Sequence, residues 1–442
     1  SSSSRSGIGV TPPVSQHRAG STPATARLRS GPDRRGYHRG MTSSDSTPVE
    51  PPIPVPDVPG ADATARGLPR RAELTLWQRL IVDSSAVADI ALRTSIASLL
   101  AATMLPGMLP AVVPGLRGNR SRDEREQLRF YAELAATQDP TASFPAPRTP
   151  PRVSSRPANP IAERIAGGHV YNIRFATSFE AVNPALRDRC RSYERNNVVH
   201  AQHWRHPDGP RPTLCLIHGF MGSPYLLNGL FFSLPWFYRC GYDVLLYTLP
   251  FHGARAEKGS PFSGYGFFAN GFAGFAEAMA QAVHDFRSII DYLEHTGVDR
   301  IALTGMSLGG YTSALIASVD DRIQAVIPNV PVVAPDRTVD EWFPANQLVR
   351  LRNLLSRTDA DLVAAATRFS SPLNYAPLVP KERRLIITGL GDRLAPPEQA
   401  ELLWEHWDRC AFHWFPGNHV LHVSQPDYLR RMTRFLRGFM FD

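Results

Sequence analysis

The sequence predicts an α/β protein whose sheet is mostly parallel, doubly wound and built from about eight strands. From residue 161 onward, short apolar runs alternate with segments of helical periodicity. The runs after Pro212 are almost continuously apolar, which is typical of strands that are buried on both faces. Ligands bind such sheets beyond the carboxyl ends of the strands, so we expect functional residues in the loops that follow them.

The composition is that of a globular protein with a basic N-terminal segment. The 442 residues are 43% hydrophobic and 10% aromatic, which is enough to bury a large core. Residues 1–40 contain seven Arg and one Asp, so they carry most of the formal net charge of +8. The remainder of the chain is nearly neutral, and we expect no nucleic-acid partner.

The cysteines indicate neither a metal site nor a disulfide framework. They are widely spaced along the chain, at Cys190, Cys215, Cys240 and Cys410. No Cys-x-x-Cys or Cys/His spacing typical of zinc occurs. This pattern favours a reducing compartment, and we expect a cytoplasmic protein with membrane association as the open alternative.

Three regions are expected along the chain. Residues 1–72 are rich in Ser, Pro, Arg and Gly, and we predict a disordered tail; residues 1–40 are read as translated upstream sequence or as a targeting peptide. Residues 73–160 form a helical, apolar extension that ends in a proline-rich linker. Residues 161–442 form the α/β domain, with a small cap at residues 335–378.

The extension begins with a helical pattern at Trp77 and Leu80 and contains an uncharged stretch over residues 94–116. That stretch is long enough to cross a bilayer. It is interrupted by Pro106, Pro110 and Pro114, which argue against one straight helix. Two interpretations remain, a broken hairpin at a membrane surface and an arm that packs on the α/β domain; we favour the arm.

Eight strands are predicted in the α/β domain. They cover residues 170–175, 198–204, 213–217, 244–249, 301–304, 323–327, 385–388 and 411–415. The clearest helix lies between the fourth and fifth of these strands. Its apolar residues recur every three to four positions up to Leu293, and we expect it to stop at Gly297.

The sequence Gly305-Met306-Ser307-Leu308-Gly309 lies between a predicted strand and a predicted helix. In such an elbow the residues two before and two after the serine face each other closely, which requires glycine. The turn raises the Ser307 hydroxyl above the sheet as a nucleophile. It also leaves the Leu308 N–H at a helix N-terminus, where it can stabilise negative charge.

The loop His218-Gly219-Phe220-Met221-Gly222 follows the strand at residues 213–217. We expect the Phe220 N–H to form the second half of an oxyanion hole, with Met221 as the alternative donor. His218 is either a general base or a histidine that holds the loop by hydrogen bonds, and we favour the second role.

Two further strands end in loops that supply a carboxylate and an imidazole, Asp392 and His419. A nucleophilic serine needs a base to accept its proton and a carboxylate to orient that base. Ser307, Asp392 and His419 therefore form the predicted triad. Asp336 is the alternative acid, His422 is the alternative base, and a helix-capping role is the alternative for Asp392.

The motifs at residues 218–220, 305–309, 391–392 and 417–419 resemble those of the α/β-hydrolase fold family. The resemblance covers residues 161–442. It implies a serine hydrolase that forms an acyl-enzyme and needs neither a metal nor an organic cofactor. The extension resembles no family that we can name.

Aromatic residues are dense after two strand ends, at residues 231–237 and 262–275, and favour an apolar acyl group in the cleft. The leading hypothesis is a carboxylic ester hydrolase for a hydrophobic, lipid-like ester, with a peripheral membrane contact through residues 73–116. An acyltransferase or thioesterase with the same triad is one alternative. A non-catalytic protein of the same fold, which only binds a ligand or partner, is the other.

Overall fold

The computed structural model describes most of the chain from Gly67 onward. The described backbone comprises residues 67–112, 117–222, 224–335, 337, 342, 346–347, 350–351, 359–420, 422 and 425–441. For residues 103–112 and 117–122 only the backbone is described. The predicted disordered tail comprises residues 1–72, of which residues 1–66 lie outside the described residues. The rival acid Asp336 and much of the predicted cap lie outside them as well.

Within this part of the chain, nine strands form one sheet in the order β1-β2-β3-β5-β4-β6-β7-β8-β9. Their bounds are Ser154–Pro157 (β1), His169–Ala176 (β2), Val198–Arg205 (β3), Thr213–Ile217 (β4), Asp243–Tyr247 (β5), Ile301–Met306 (β6), Ile323–Asn329 (β7), Leu385–Gly389 (β8) and Ala411–Phe415 (β9). Three pairs are antiparallel: β1 with β2, β2 with β3, and β3 with β5. The remaining pairs are parallel. The predicted fold class is confirmed.

Strand burial follows the hydrophobic pattern of the sequence. Every residue of β4, β5, β6 and β8 is buried, as the continuous apolar runs predict. The strand β2 instead alternates between buried and exposed positions, because its sheet face is partly solvated. The sequence did not reveal β1, whose four residues are all exposed and which lies in the expected linker.

The described helices cover both faces of the sheet. They are Leu76–Val112 (α1), Arg117–Thr137 (α2), Pro140–Ser143 (α3), Pro160–Ala166 (α4), Arg187–Arg191 (α5), Tyr225–Phe231 (α6), Leu234–Arg239 (α7), Tyr265–Phe268 (α8), Gly271–His295 (α9), Leu308–Ile316 (α10), Ala360–Thr367 (α11), Pro397–His406 (α12) and Gln425–Met440 (α13). Cys215 of β4 belongs to the apolar cluster that contains Phe286 of α9, whereas the preceding Leu214 belongs to the cluster that contains Leu436 of α13. Alternate residues of one strand therefore face opposite helical layers, which is the doubly wound arrangement.

The extension is helical, and α1 includes Pro106 and Pro110 within one helical element that ends at Val112. Pro106 and Pro110 therefore do not end the helix, and Pro114 lies outside the described residues. A proline can kink a helix without ending it, so the expectation that the prolines exclude one straight helix stays a prediction. Among the described residues, one helix, Leu76–Ala102, is long and apolar enough to cross a membrane by length and composition. Within the most apolar window of this helix, 33% of the residues are buried inside the protein.

The second helix of the extension packs against the α/β domain. Leu128 and Tyr131 of α2 are buried in the same apolar cluster as α9. The Tyr131 hydroxyl donates a hydrogen bond to the buried Glu277 carboxylate of α9 at 2.6 Å. In the described part of the predicted cap, α11 and the turn at Arg368–Ser370 lie against the same two helices. The turn at Pro372–Asn374 contacts α2 through the Asn374 side-chain amide, which donates to the Ala135 carbonyl at 2.9 Å.

Candidate active site

Ser307 lies in a strained turn between β6 and α10. Its backbone has φ 56° and ψ −117°, a conformation that non-glycine residues rarely adopt. A Cβ atom on Gly305 would lie 2.3 Å from the Gly309 carbonyl oxygen, and one on Gly309 would lie 2.1 Å from the Ile217 carbonyl oxygen. The Ser307 N–H donates to the Asn329 carbonyl at 3.0 Å and fixes the turn to the neighbouring strand. Both glycines are therefore required by close backbone approach, as the sequence pattern predicts.

The loop after β4 lies directly beside this turn. A Cβ atom on Gly219 would meet the Ser307 Cβ at 3.4 Å. Within the described residues, neither the Phe220 nor the Leu308 N–H donates a hydrogen bond to the protein. Two free main-chain donors next to a serine hydroxyl are the arrangement that an oxyanion hole needs. The assignment of Phe220 and Leu308 to that hole stays a prediction, as does the alternative of Met221, which has a positive φ of 61°.

His218 holds this loop with both of its ring nitrogens. Its Nδ1–H donates to the Gly219 carbonyl at 2.8 Å, and its Nε2 accepts from the Leu249 N–H at 3.2 Å. Burial lowers the pKa of His218 to about 4, so the ring is neutral near pH 7. Since no nitrogen remains for proton transfer, the geometry favours the structural role over the role of a general base.

The loops after β8 and β9 bring a carboxylate and an imidazole together. Asp392 Oδ2 lies 2.6 Å from His419 Nδ1, and both side chains are buried. Asp392 Oδ1 accepts hydrogen bonds from the N–H groups of Leu394 at 2.9 Å and Ala395 at 2.8 Å. Because a carboxylate only accepts, the proton of the imidazole lies on Nδ1 and Nε2 is left as the basic nitrogen. The alternative role of Asp392 as a helix cap is wrong, because α12 begins at Pro397 with Pro396 as its N-cap. Asp392 instead closes a local turn with Oδ1 and contacts His419 with Oδ2.

Burial lowers the pKa of His419, but the negative charge and the hydrogen bond of Asp392 raise it. The net pKa lies above the ordinary value of 6.5 for histidine. This environment stabilises the imidazolium that a base becomes after it accepts a proton. In the described residues no hydrogen bond joins Ser307 to His419. The structure brings Asp392 and His419 together and places Ser307 at the same edge of the sheet. Such bonds are often long or absent before a substrate is bound.

The rival base is in a different environment. His422 packs against the rings of Phe415 and Tyr428, at centroid distances of 4.6 and 5.3 Å. Burial lowers its pKa to about 4. It has no carboxylate partner among the described residues, so nothing there would orient it as a base.

The structure reveals a residue at this site that the sequence did not identify. Asp89 of α1 is buried, and its Oδ2 accepts hydrogen bonds from the N–H groups of Arg393 at 3.0 Å and His419 at 2.9 Å. The available signal was an acidic residue within the apolar pattern of α1, which contains two, Asp83 and Asp89. The sequence analysis followed the large apolar residues of this segment and assigned no role to its acidic residues.

Aromatic rings extend from the loop after β4 toward α10. The ring of Phe220 contacts Phe268 at a centroid distance of 5.0 Å, Phe268 stacks on Phe275 at 5.5 Å, and Phe275 stacks on Tyr311 at 6.3 Å. A small cavity of about 10 Å³, room for about one water molecule, adjoins this row. It is lined by Leu128, Tyr131, Phe272, Phe275, Ala276, Ala366, Thr367 and Ser370. The predicted aromatic segment after β5 thus contributes both to the core and to an apolar cavity. Among the described residues, no group of three or more His, Cys, Asp or Glu side chains is placed to hold a metal ion.

Comparisons with known proteins agree with this architecture. Residues 216–431 match the sequence profile described as "Alpha/beta hydrolase family". Two uncharacterized proteins of Mycobacterium tuberculosis, from strains CDC 1551 and H37Rv, are each 30% identical over 308 residues, 68% of this chain and 70% of the relative.

Solved structures with a similar fold include esterases. Acetyl xylan esterase 1 from Thermoanaerobacterium sp. matches with a TM-score of 0.47 and 15% identity, over 70% of this chain and 94% of that one. The Pyrococcus furiosus esterase Pf2001 matches with a TM-score of 0.42 and 17% identity, over 67% of this chain and 99% of that one. The profile match spans the loop after β4, the turn at Ser307 and the loops of Asp392 and His419. The chain belongs to the alpha/beta hydrolase family.

Proposed function

We propose that the protein is a serine hydrolase that cleaves a carboxylic ester of a hydrophobic, lipid-like substrate through an acyl-enzyme. One observation carries this proposal: the buried Asp392–His419 pair lies at the same sheet edge as a serine in a strained elbow. A protein that only bound a ligand would need neither the strained turn nor a carboxylate that fixes the imidazole tautomer.

In the proposed reaction the Ser307 oxygen attacks the ester carbonyl while His419 Nε2 takes the hydroxyl proton. The Phe220 and Leu308 N–H groups would stabilise the negative oxygen of the tetrahedral intermediate. Collapse of that intermediate breaks the ester C–O bond, and the imidazolium returns its proton to the departing alcohol. Water then attacks the acyl-enzyme with His419 as base, which releases the acid and regenerates Ser307. Asp392 stabilises the imidazolium in both halves of the cycle.

The preference for an apolar acyl group is supported by the row of aromatic rings, and the small cavity beside that row has an apolar lining as well. The cavity is lined mainly by carbon atoms of aromatic and aliphatic side chains, which favour hydrocarbon over charged groups. Part of its wall, Leu128 and Tyr131, comes from α2 of the extension.

The test combines covalent labelling with a panel of esters of increasing acyl length. A fluorophosphonate probe is expected to label Ser307, and Ser307→Ala is expected to lose both labelling and turnover. Ser318→Ala is the matched control, because Ser318 follows α10 and makes only a long hydrogen bond of 3.4 Å to a helix carbonyl. Full activity of Ser307→Ala would refute the mechanism. Preferential turnover of thioesters, or transfer to an added alcohol, would favour the thioesterase or acyltransferase alternative.

We also propose that the enzyme rests on a membrane surface through α1. Its outward face carries large apolar side chains, with Trp77 71% exposed and Leu80 54% exposed. A second exposed apolar group lies on α6, where Leu227 is 62% exposed, and Val420 directly follows the base His419. Exposed apolar area near a cleft for an apolar substrate is typical of an interfacial enzyme. The Arg-rich N-terminal sequence would add attraction to anionic lipids.

Co-sedimentation with anionic phospholipid vesicles tests this contact. Replacing Trp77, Leu80 and Ile90 with serine is expected to weaken vesicle binding at least tenfold, since several exposed apolar side chains are lost together. The control replaces the exposed Ala88 and Ala91 with serine, which removes little apolar area. Failure of the wild-type protein to bind any vesicle would contradict the proposal, and a wild-type dimer that the triple variant abolishes would assign this face to a second copy.

A further inference from the structure

One face of α1 lies directly against the two loops that carry Asp392 and His419. The Asn418 side-chain amide donates to the Ser85 carbonyl at 3.0 Å. Gly391 approaches so closely that a Cβ atom there would lie 2.4 Å from the Ser85 hydroxyl oxygen. The Arg93 guanidinium donates to the Arg393 carbonyl at 3.1 Å. The helix therefore contacts both loops through polar and small residues that recur every three to four positions.

Asp89 occupies the centre of this contact. A single oxygen, Oδ2, accepts from the N–H of His419 at 2.9 Å and from the N–H of Arg393 at 3.0 Å. Arg393 is the residue that follows Asp392, so the two bonds join the main chain of the base to the main chain beside the acid. The Asp89 side chain is only 1% exposed. A carboxylate is costly to bury, and these two N–H groups supply the hydrogen bonds that compensate.

We propose that Asp89 is a positioning residue of the active site, which holds the His419 and Asp392 loops in register so that the imidazole faces Ser307. This inference rests on the proposed serine hydrolase function. It makes the helix before the α/β domain a required part of the catalytic apparatus. Asp89 acts through the main chain of the two loops and touches neither the substrate nor the reacting atoms.

The charge of Asp89 gives this role a signature that a purely structural residue would lack. Three titratable groups face the His419 ring: Asp392 from the loop after β8, Asp89 from α1, and His422 from the following turn. Burial lowers the pKa of His419, Asp392 raises it, and Asp89 raises it further. His422 has a pKa of about 4 and is neutral when His419 titrates. Loss of the Asp89 charge should therefore lower the pKa of His419.

Two substitutions separate geometry from charge. Asp89→Ala removes the acceptor of both N–H groups, and we expect a loss of about 100-fold in kcat with little change in KM, as for a small displacement of a catalytic group. Asp89→Asn keeps an oxygen acceptor and most of the maximal rate. In the pH profile of Asp89→Asn, the acidic limb is the fall in activity at low pH. This limb should move to lower pH, because the His419 imidazolium is less stabilised. The readout is the rate of fluorophosphonate labelling of Ser307 against pH, which requires no knowledge of the natural ester.

Asp83→Asn on the same helix is the matched control. Asp83 is exposed and pairs with Arg71 at 2.7 Å, and among the described residues it accepts no hydrogen bond from either loop, so neither the rate nor the pH limb should change. The inference is overturned if folded Asp89→Ala labels at the wild-type rate. It is overturned equally if the limb of Asp89→Asn stays in place, and this second arm decides the question where Asp89→Ala fails to fold by circular dichroism. A wild-type protein that is not labelled at Ser307 would instead refute the proposed function itself, and the inference with it.

Discussion

Replacing Asp392 with asparagine tests the acid–base pair most sharply, because the structure dictates how the new amide must lie. Oδ1 accepts from the N–H groups of Leu394 and Ala395, and Oδ2 accepts from the His419 ring. The amide oxygen of Asn would stay with the two main-chain donors. Its NH₂ group would then face His419 Nδ1 and donate to it. The ring proton would move to Nε2, which could no longer accept a proton from Ser307.

The size of the effect follows from the cost of the opposite amide orientation. A flipped amide would accept from His419 but would leave two buried main-chain N–H groups without an acceptor, at about 1–3 kcal/mol each. The active orientation is thus disfavoured by about 2–6 kcal/mol, which is about 30-fold to 10⁴-fold in population. Loss of the charge that stabilises the imidazolium adds to this, and a loss of roughly 10⁴-fold in kcat is known for such a change in a well-studied triad.

The assay compares kcat for ester hydrolysis, and the rate of Ser307 labelling, between wild-type and Asp392→Asn protein at equal folded concentration. Asp408→Asn serves as the control, because its side chain is 72% exposed and makes only a 3.6 Å ion pair with Arg384. Thermal unfolding should differ little, since the substitution is isosteric. A loss smaller than about tenfold would refute the reasoning. If Asp336→Asn inactivated the folded enzyme instead, the acid would have to be reassigned.

The remaining predictions concern the base and the elbow. The acidic limb of kcat/KM is expected above pH 6.5, because the folded-state pKa of His419 is raised from that value and the enzyme is inactive while this base is protonated; a limb well below it would contradict the environment described for His419. By linkage, His419 contributes stability below its unfolded pKa, and that contribution is lost as the pH rises through the folded pKa, which urea unfolding at several pH values would measure. Gly309→Ala should abolish labelling or folding, since its Cβ would lie 2.1 Å from the Ile217 carbonyl oxygen. Gly438→Ala on α13, where a Cβ meets nothing within 4 Å, should raise the free energy of unfolding by about 0.5–1 kcal/mol and leave activity intact.

The sequence by itself determined the elements whose signals are local. Continuous apolar runs identified the buried strands, because a strand covered on both faces excludes polar residues wherever it lies. The glycines around Ser307 followed from the steric demands of one tight turn, which five consecutive residues fully specify. Asp392 and His419 were predicted in the same way, since each lies in the loop after a strand of a parallel sheet. The structure places the two side chains in hydrogen-bond contact, and their catalytic roles stay predictions. The exposed strand β1 carried no such pattern, because pairing at a sheet edge needs no apolar side chains.

Only the tertiary structure decided which face of α1 is packed and what that face does. The helix turns small and polar residues toward the loops of Asp392 and His419 and leaves Trp77 and Leu80 exposed, the reverse of an ordinary surface helix. Hydrophobic periodicity cannot show this, since it assumes that the largest apolar residues are buried. Asp89 forms hydrogen bonds with Arg393, which lies 304 residues later in the chain, and with His419, which lies 330 residues later. A hydrogen bond between groups so distant in sequence depends on how the whole sheet and its helices pack, and no local pattern encodes it.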